Sequence, residues 1–345
     1  MKAVMIKNLE GPDHVDVVDV ADPIPKSGEV LISVRAAGIS FPELLQTRGL
    51  YQEKPDLPFI PGYEVAGLVE DANGCQGFAV GDRVVGFTKY GGYAEKAAIR
   101  AEWVFPLPQD LPFAKAAALP MNYLTAHFSL MRRGGLRQGE SVLVHGAGGG
   151  VGTASIQIAK SFGASCVIAV VSNAAKADAA RTAGADEVVD ANDFLAQVLA
   201  LTDSRGVDIV VDPVGGDRFT DSLRALAPFG RVLVIGFAAG AIPTVKVNRL
   251  LLKNIDVVGA GWGSYAWDAP GYLSEQWAEL IPHIESGMLD PVVGAEYPVA
   301  RIRDALKDLD ARRVQGKSVL IMDGNSVASA MLDQTSSAIS RPTTA

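Results

Sequence analysis

The run Gly146-Ala-Gly-Gly-Gly-Val-Gly152 carries the chemistry most plainly suggested by residue type and spacing. A turn so rich in glycine brings backbone N–H groups close to an anion, and a helix starting from it adds the positive end of its dipole, so a phosphate is the ligand it suits. The elements needed to position that turn stand on both sides of it. Ser141-Val-Leu-Val-His145 predicts a short strand, Thr153 to Phe162 has helical spacing at Ile156, Ala159 and Lys160, and Cys166 to Val171 predicts a second buried strand. Strand, turn, helix and strand in that order are the context of a dinucleotide fingerprint. Aligned on Gly149 and Gly152, the pattern puts Ala147 at its first position, a mild departure, with Gly150 and Val151 between the two glycines. A loop that merely needs positive φ angles is the plain alternative, and the flanking elements weigh against it.

The end of the second strand speaks to which dinucleotide. Sites for the unphosphorylated cofactor carry Asp or Glu about 20 residues beyond the fingerprint, accepting from the ribose 2′-OH. Here Ser172 and Asn173 occupy that place, with Lys176 one turn later. A carboxylate would repel a 2′-phosphate, whereas a hydroxyl, an amide and an ammonium suit it, so NADPH is expected rather than NADH. Lys176 alone could equally be a solvated helix residue; the missing carboxylate tips the balance.

Composition bounds the rest. A chain of 345 residues with 48% hydrophobic residues and 36 glycines reads as a two-domain α/β protein. A net charge of −8 argues against a general nucleic-acid or anionic-membrane surface. Two cysteines, Cys75 and Cys166, make no disulfide framework and fit a reducing compartment. Met1 to Ile6 passes at once into polar residues, without a leader pattern, and no apolar run is long enough to span a bilayer; the expected location is the cytoplasm.

Residues 1 to about 110 read as short strands between Gly and Pro turns (Val30 to Arg35, Val65 to Glu70, Asp82 to Phe87, Tyr93 to Ile99), with one helix over Phe41 to Arg48. Pro112 to Arg133 turns helical and bridges to the second domain. After the fingerprint, strands at Glu187 to Val189, Val207 to Val211, Arg231 to Ile235 and Ile255 to Gly259 alternate with helical or loop stretches, which predicts a doubly wound parallel sheet. Ligands in such sheets bind at the carboxyl ends of the strands, so Asp212 to Gly215, Gly236-Phe237 and Gly261-Trp262-Gly263 are expected around the cofactor, with plain loops as the alternative. A helix over Leu273 to Ser286 precedes a strand, helix and strand within Val292 to Met322. The expected division is 1–118 with 288–325, then 119–287, and a mobile tail at 326–345 rich in Ser, Ala and Thr.

These motifs together resemble the medium-chain dehydrogenase/reductase superfamily over about residues 1 to 323, and within it the zinc-independent quinone oxidoreductases. The residues that carry the resemblance are Gly38-Ile-Ser-Phe-Pro-Glu43, Arg48-Gly-Leu-Tyr51, Pro61-Gly-Tyr-Glu64, Gly81-Asp-Arg-Val84, the fingerprint, and Ile242-Pro243 through Asn248 to Trp262-Gly263. The resemblance implies a mainly β, GroES-like catalytic domain completed by the C-terminal segment, a Rossmann domain between, an active site in the cleft and a homodimer joined near Ile255 to Gly261. Zinc-dependent relatives place a cysteine and a histidine where this chain has Ser40 and Tyr63, and their structural zinc needs four clustered cysteines. No metal is therefore expected.

Without a Lewis acid, a conjugated acceptor such as a quinone, enone or enoyl thioester suits hydride transfer better than a simple alcohol or ketone. Tyr51 matches the tyrosine in the active cleft of quinone reductases and is expected to donate a hydrogen bond, against the alternative of a tyrosine packing a turn beside Pro55 and Pro58. Ser40 stands where many relatives have asparagine. Tyr63, Asn122, Thr125 and Asn248 are expected on the substrate or nicotinamide side, and Glu64 is read as supporting its turn. The leading reading is an NADPH-dependent reductase of quinones or related conjugated carbonyls. Its rivals are an enoyl-thioester or alkenal/enone reductase and a non-catalytic, NADPH-binding structural or regulatory protein of the lens-crystallin kind.

Overall fold

The computed structural model describes residues 1–322, so the expected tail at 326–345 lies outside the described residues. Short β-branched and alanine-rich runs punctuated by Gly and Pro give the N-terminal half its strands, because such residues pack well on a pleated surface. In chain order these elements are β1 (Lys2–Ile6), β2 (Val15–Asp19), β3 (Glu29–Ile39), α1 (Phe41–Gln46), β4 (Glu64–Asp71), β5 (Arg83–Phe87), β6 (Lys96–Arg100), β7 (Val104–Pro106) and α2 (Phe113–Ala117). The second half continues with α3 (Pro120–His127), a π-helical turn at Phe128–Arg133, β8 (Ser141–Val144), α4 (Gly150–Ser161), β9 (Cys166–Val171), α5 (Ala174–Thr182), β10 (Glu187–Asp190), α6 (Phe194–Leu201), β11 (Val207–Asp212), α7 (Phe219–Ala225), β12 (Leu226–Val234), α8 (Asn248–Lys253), β13 (Asp256–Gly259), α9 (Trp262–Ala266) and α10 (Tyr272–Glu285). The described chain closes with β14 (Val293–Pro298), α11 (Ile302–Asp310) and β15 (Lys317–Ile321).

Two compact units result: Met1–Ala117 with Glu296–Arg312 and the described residues from Val319, and Ala118–Ala295 with Arg313–Ser318. The first is built on a seven-stranded sheet in the order β14-β15-β3-β4-β5-β7, with β6 antiparallel to β3, and a separate β1–β2 hairpin. The β1–β2 hairpin was not foreseen from the sequence, because charged residues break the apolar alternation of Val15–Asp19. α11 is tied into this unit by Arg48, whose guanidinium holds Asp310 through two bonds of 3.0 and 2.6 Å, and by Arg303 on Asp16 at 2.7 Å.

The second unit is a six-stranded sheet in the order β10-β9-β8-β11-β12-β13, parallel at every pair. That is the doubly wound order 3-2-1-4-5-6, whose switch point lies between β8 and β11. Strands buried on both faces need continuous apolar runs, and Val142, Leu143, Val144, Ile209, Val210 and Val211 are fully buried. Arg231 anchors β12 to the loop before β8. It donates to both Glu140 oxygens at 2.6 and 2.7 Å and to the Gly134 carbonyl at 2.6 Å.

His145, which follows β8, is packed into the core of this unit. Its ring stands edge-on to Phe194 at 4.8 Å, with Nε2 2.8 Å from Ser222 Oγ. Burial holds its imidazole below the usual histidine range, against the opposing pull of Asp212. The unfolded chain therefore takes up a proton at higher pH than the folded one: the stability owed to neutral His145 is present above the unfolded value of about 6.5 and is lost as pH falls through the folded value. Thermal melts should show a fall in Tm from about pH 7.5 to 5.5, and a smaller fall in His145→Gln. An equal fall in both proteins would contradict this account.

Candidate functional site

The glycine turn leaves β8 at the switch point and enters the twelve-residue helix α4 with Gly149 as its N-cap. Close approach explains the glycines: a Cβ on Gly152 would stand 2.2 Å from the Gly146 carbonyl oxygen, and one on Gly148 would stand 2.5 Å from Lys176 Cβ. The second contact fixes where Lys176 emerges, since the start of α5 is packed directly onto the turn. Ala147 is fully buried and its N–H donates to the Val170 carbonyl at 3.2 Å, which accounts for a small apolar side chain at that position.

Around the turn, the carboxyl ends of the neighbouring strands form a rim. Asp212, buried, accepts from the N–H groups of Val214 and Gly215, both at 2.9 Å, and so shapes the loop after β11. That loop is laced to the one after β12, which contains Gly236 and Phe237: Ala238 donates to the Pro213 carbonyl at 3.1 Å and Ala239 to that of Val214 at 2.9 Å. On the other side, Ser172 is exposed at the end of β9, and the Asn173 side chain caps α5 by accepting from Lys176 N–H at 3.0 Å. The expected trio thus divides its work. Asn173 spends its oxygen on the helix cap, while Ser172 and Lys176 lie at the edge of the turn.

The remaining expected residues have different fates. Gly261 is the N-cap of α9, but the Trp262 indole is buried and its Nε1–H donates to Gln276 Oε1 at 2.8 Å; Gln276 in turn donates to the Leu124 carbonyl at 3.0 Å. Trp262 therefore braces α9 against α10 and α3. Asn248 is exposed at the start of α8. Asn122 and Thr125 are buried on α3, and His127, two residues on, sits between Glu279 and Gln276 at 3.0 and 3.1 Å.

In the first unit, Ser40, Tyr51 and Tyr63 belong to one polar cluster. Ser40 is the N-cap of α1, its N–H donating to Glu43 Oε2 at 3.1 Å and its hydroxyl to Glu64 Oε1 at 3.2 Å. Glu43 reaches back with its other oxygen to accept from the Tyr63 N–H at 3.2 Å. The Tyr63 hydroxyl accepts from Gln46 Nε2 at 3.1 Å and donates to Glu53 Oε2 at 3.3 Å. Tyr51 stands edge-on to the Tyr63 ring, centroids 6.0 Å apart. Burial, then the charges of Glu43 and Glu53, push its phenol up to about 12, although a hydrogen bond with Tyr63 pulls the other way. Tyr51 is thus a neutral donor at ordinary pH.

Glu43, Gln46 and Glu53 were not singled out from the sequence; only the Ser40-x-x-Glu43 spacing, a capping box, signalled the first of them. A recess of about 660 Å³ opens on the same unit, walled by Lys54, Asp56, Phe59 and Tyr90, and none of Ser40, Tyr51 or Tyr63 lines it. Among the described residues no group of three His, Cys, Asp or Glu side chains could hold a metal ion. The donors at the two positions where relatives place zinc ligands do not fit zinc either: a serine hydroxyl and a phenol, both engaged by carboxylates, replace thiolate and imidazole.

The chain matches the family model "Alcohol dehydrogenase GroES-like domain" over residues 26–109 and the model "Zinc-binding dehydrogenase" over residues 150–286. It is 35% identical over 308 residues to quinone oxidoreductase-like protein 2 of Bos taurus, covering 88% of each chain. Among solved structures it resembles a probable oxidoreductase from Mycobacterium abscessus with a TM-score of 0.85 and 43% identity, over 93% of this chain and 98% of that one. A quinone oxidoreductase of Escherichia coli, solved as a complex with NADPH, gives a TM-score of 0.84 and 31% identity over 93% of this chain and 100% of that one.

Proposed function

Since the chain belongs to the medium-chain dehydrogenase/reductase superfamily as a quinone oxidoreductase-like protein, we propose that it is an NADPH-dependent reductase of quinones or related conjugated carbonyls that works without zinc. The observation that carries this reading is the engagement of Ser40 and Tyr63 by Glu64, Gln46 and Glu53, which leaves a neutral phenol, Tyr51, in place of an electrophile. When bound, NADPH supplies a hydride. The N–H groups of Gly150, Val151 and Gly152 would hold its pyrophosphate, with Gly149, whose own N–H donates to the Gly146 carbonyl at 2.9 Å, closing the turn beneath it; Ser172 and Lys176 would hold its 2′-phosphate, and Gly236, Phe237 and Gly261 the rim around it. Thr125 and Asn248 are assigned to the nicotinamide or acceptor side.

Tyr51 orients the acceptor and donates a hydrogen bond to its oxygen as charge develops there; the conjugated system disperses the rest. The task assigned to the phenol is to stabilise the charge that develops on the acceptor oxygen. The family likeness of a solved NADPH complex supports the cofactor. No helix among the described residues is long and apolar enough to cross a membrane, which is compatible with the cytoplasmic location we propose.

β13 is an edge strand of its sheet, and Val257 on it, with Leu251 and Leu252 on α8, leaves apolar surface exposed. Exposed strand edges and apolar patches favour association, and we propose that two copies pair along β13. Light scattering should give the mass of two chains; a monomer at all concentrations would remove this part of the proposal.

Lys176→Ala removes a charge-assisted contact worth ~1.5–3 kcal/mol, so NADPH should bind about tenfold or more weakly while NADH is nearly unaffected. Equal affinity of the unaltered protein for both cofactors would show the assignment to be wrong. An acceptor panel at fixed NADPH should show reduction of quinones or enones, no oxidation of ethanol, zinc well below one ion per chain, and no loss of activity with a chelator. Tyr51→Phe should lower kcat/KM about two- to twelvefold, the net worth of a neutral hydrogen bond. A loss of several orders of magnitude would make Tyr51 an obligatory proton donor instead.

A further inference from the structure

Asn122 is the third residue of α3, and its side chain is 5% exposed. A buried amide ordinarily finds partners for its two N–H groups and its oxygen. This one makes no hydrogen bond to any described residue. It is not lost in a packing gap, however. A Cβ built on Gly150 would stand 2.5 Å from Asn122 Nδ2 and 3.1 Å from both Cγ and Oδ1, and these three are the nearest atoms it would meet. The amide therefore lies against the Cα of Gly150, the first residue of α4, and Gly150 lacks a side chain where one would push Asn122 away.

At that point three kinds of donor converge. The first-turn N–H groups of α4 have no intrahelical acceptor, the helix dipole adds its positive end, and the amide N–H groups of Asn122 are unspent. An amide whose N–H groups are unspent, set against the first residue of a helix, suits an acceptor that arrives with a ligand. We propose that Asn122 is a cofactor-binding residue that donates to the pyrophosphate of the dinucleotide at the N-terminus of α4, rather than a group facing the nicotinamide or the acceptor. This rests on reading the turn as a dinucleotide site. It adds to the turn a side-chain donor from a helix that precedes the fingerprint in sequence.

The chemistry distinguishes this role from a packing role through Asn122→Asp. The substitution is isosteric, and a carboxylate beside the positive end of α4 is favourable in the absence of ligand. The ligand-free protein should therefore melt at or above the temperature of the unaltered one, while a pyrophosphate would now meet an anion. Equilibrium binding, followed by nicotinamide fluorescence and by calorimetry, should show NADPH and NADH weakened by the same factor, about tenfold or more, in Asn122→Asp, and by a smaller factor in Asn122→Ala. Calorimetry with 2′-phospho-ADP-ribose, which keeps the pyrophosphate and lacks the nicotinamide, should show the same loss. Unchanged affinity in both variants would overturn the proposal, as would a loss confined to ligands that carry the nicotinamide. Failure of the unaltered protein to bind NADPH at all would instead refute the dinucleotide reading on which the proposal stands.

Discussion

At Gly152 the backbone of α4 comes so close to the turn that a single added carbon would stand 2.2 Å from the Gly146 carbonyl oxygen and 2.7 Å from Ala147 Cα. That approach sets the angle at which α4 leaves β8, and with it the direction of its unpaired N–H groups. Other features of the nucleotide-binding unit are built on the same spot. α5 packs onto Gly148 through Lys176, α3 lays Asn122 on Gly150, and the stretch 313–318 is stitched on by Gly316 N–H, which donates to the Gly148 carbonyl at 2.8 Å. A parallel sheet with its switch point at β8 and β11 gathers the strand ends there, and close packing at the turn converts that topology into a site.

The other unit answers a different constraint, the cost of burying charge. Glu43 and Glu64 are almost wholly buried, and such groups are tolerated only when hydrogen-bonded. Ser40, the Tyr63 backbone and α1 supply those bonds, so the residues standing where a metal could be held are committed to satisfying carboxylates. Tyr51 sits at the border of that cluster, partly exposed, with its phenol kept neutral by the same burial and negative charge. On the proposed mechanism Tyr51 gives the acceptor a hydrogen bond, and the acceptor's own conjugation takes up the rest of the charge.

Much of this was legible in the residues. Apolar runs such as Cys166–Val171 and Val207–Asp212 are strands because both faces are buried, and the glycine turn announced the helix after it, although α4 begins at Gly150 rather than Thr153. What periodicity does not encode is which side chain meets which across elements. Trp262, expected beside the cofactor, turns inward to Gln276, fourteen residues away in sequence. Asn173 resembled a phosphate contact but serves as the cap that starts α5. α8 and α9 are short and were not anticipated, since six and five residues display no helical repeat and neither carries a proline in its first turn, as the equally short α1 does. The contact of Asn122 with Gly150 was invisible for the same reason: it depends on how α3 and α4 pack, and no spacing within either helix reports it.

On the proposed mechanism, hydride passes from a bound nicotinamide to a conjugated carbon without help from a metal. Single-turnover reduction of an enone by the metal-free protein with NADPH deuterated at the transferred position of C4 tests it directly. The expected product is the saturated ketone with deuterium at its β-carbon, formed more slowly than with unlabelled cofactor. Product without deuterium, or reduction that appears only after zinc is added, would contradict the account.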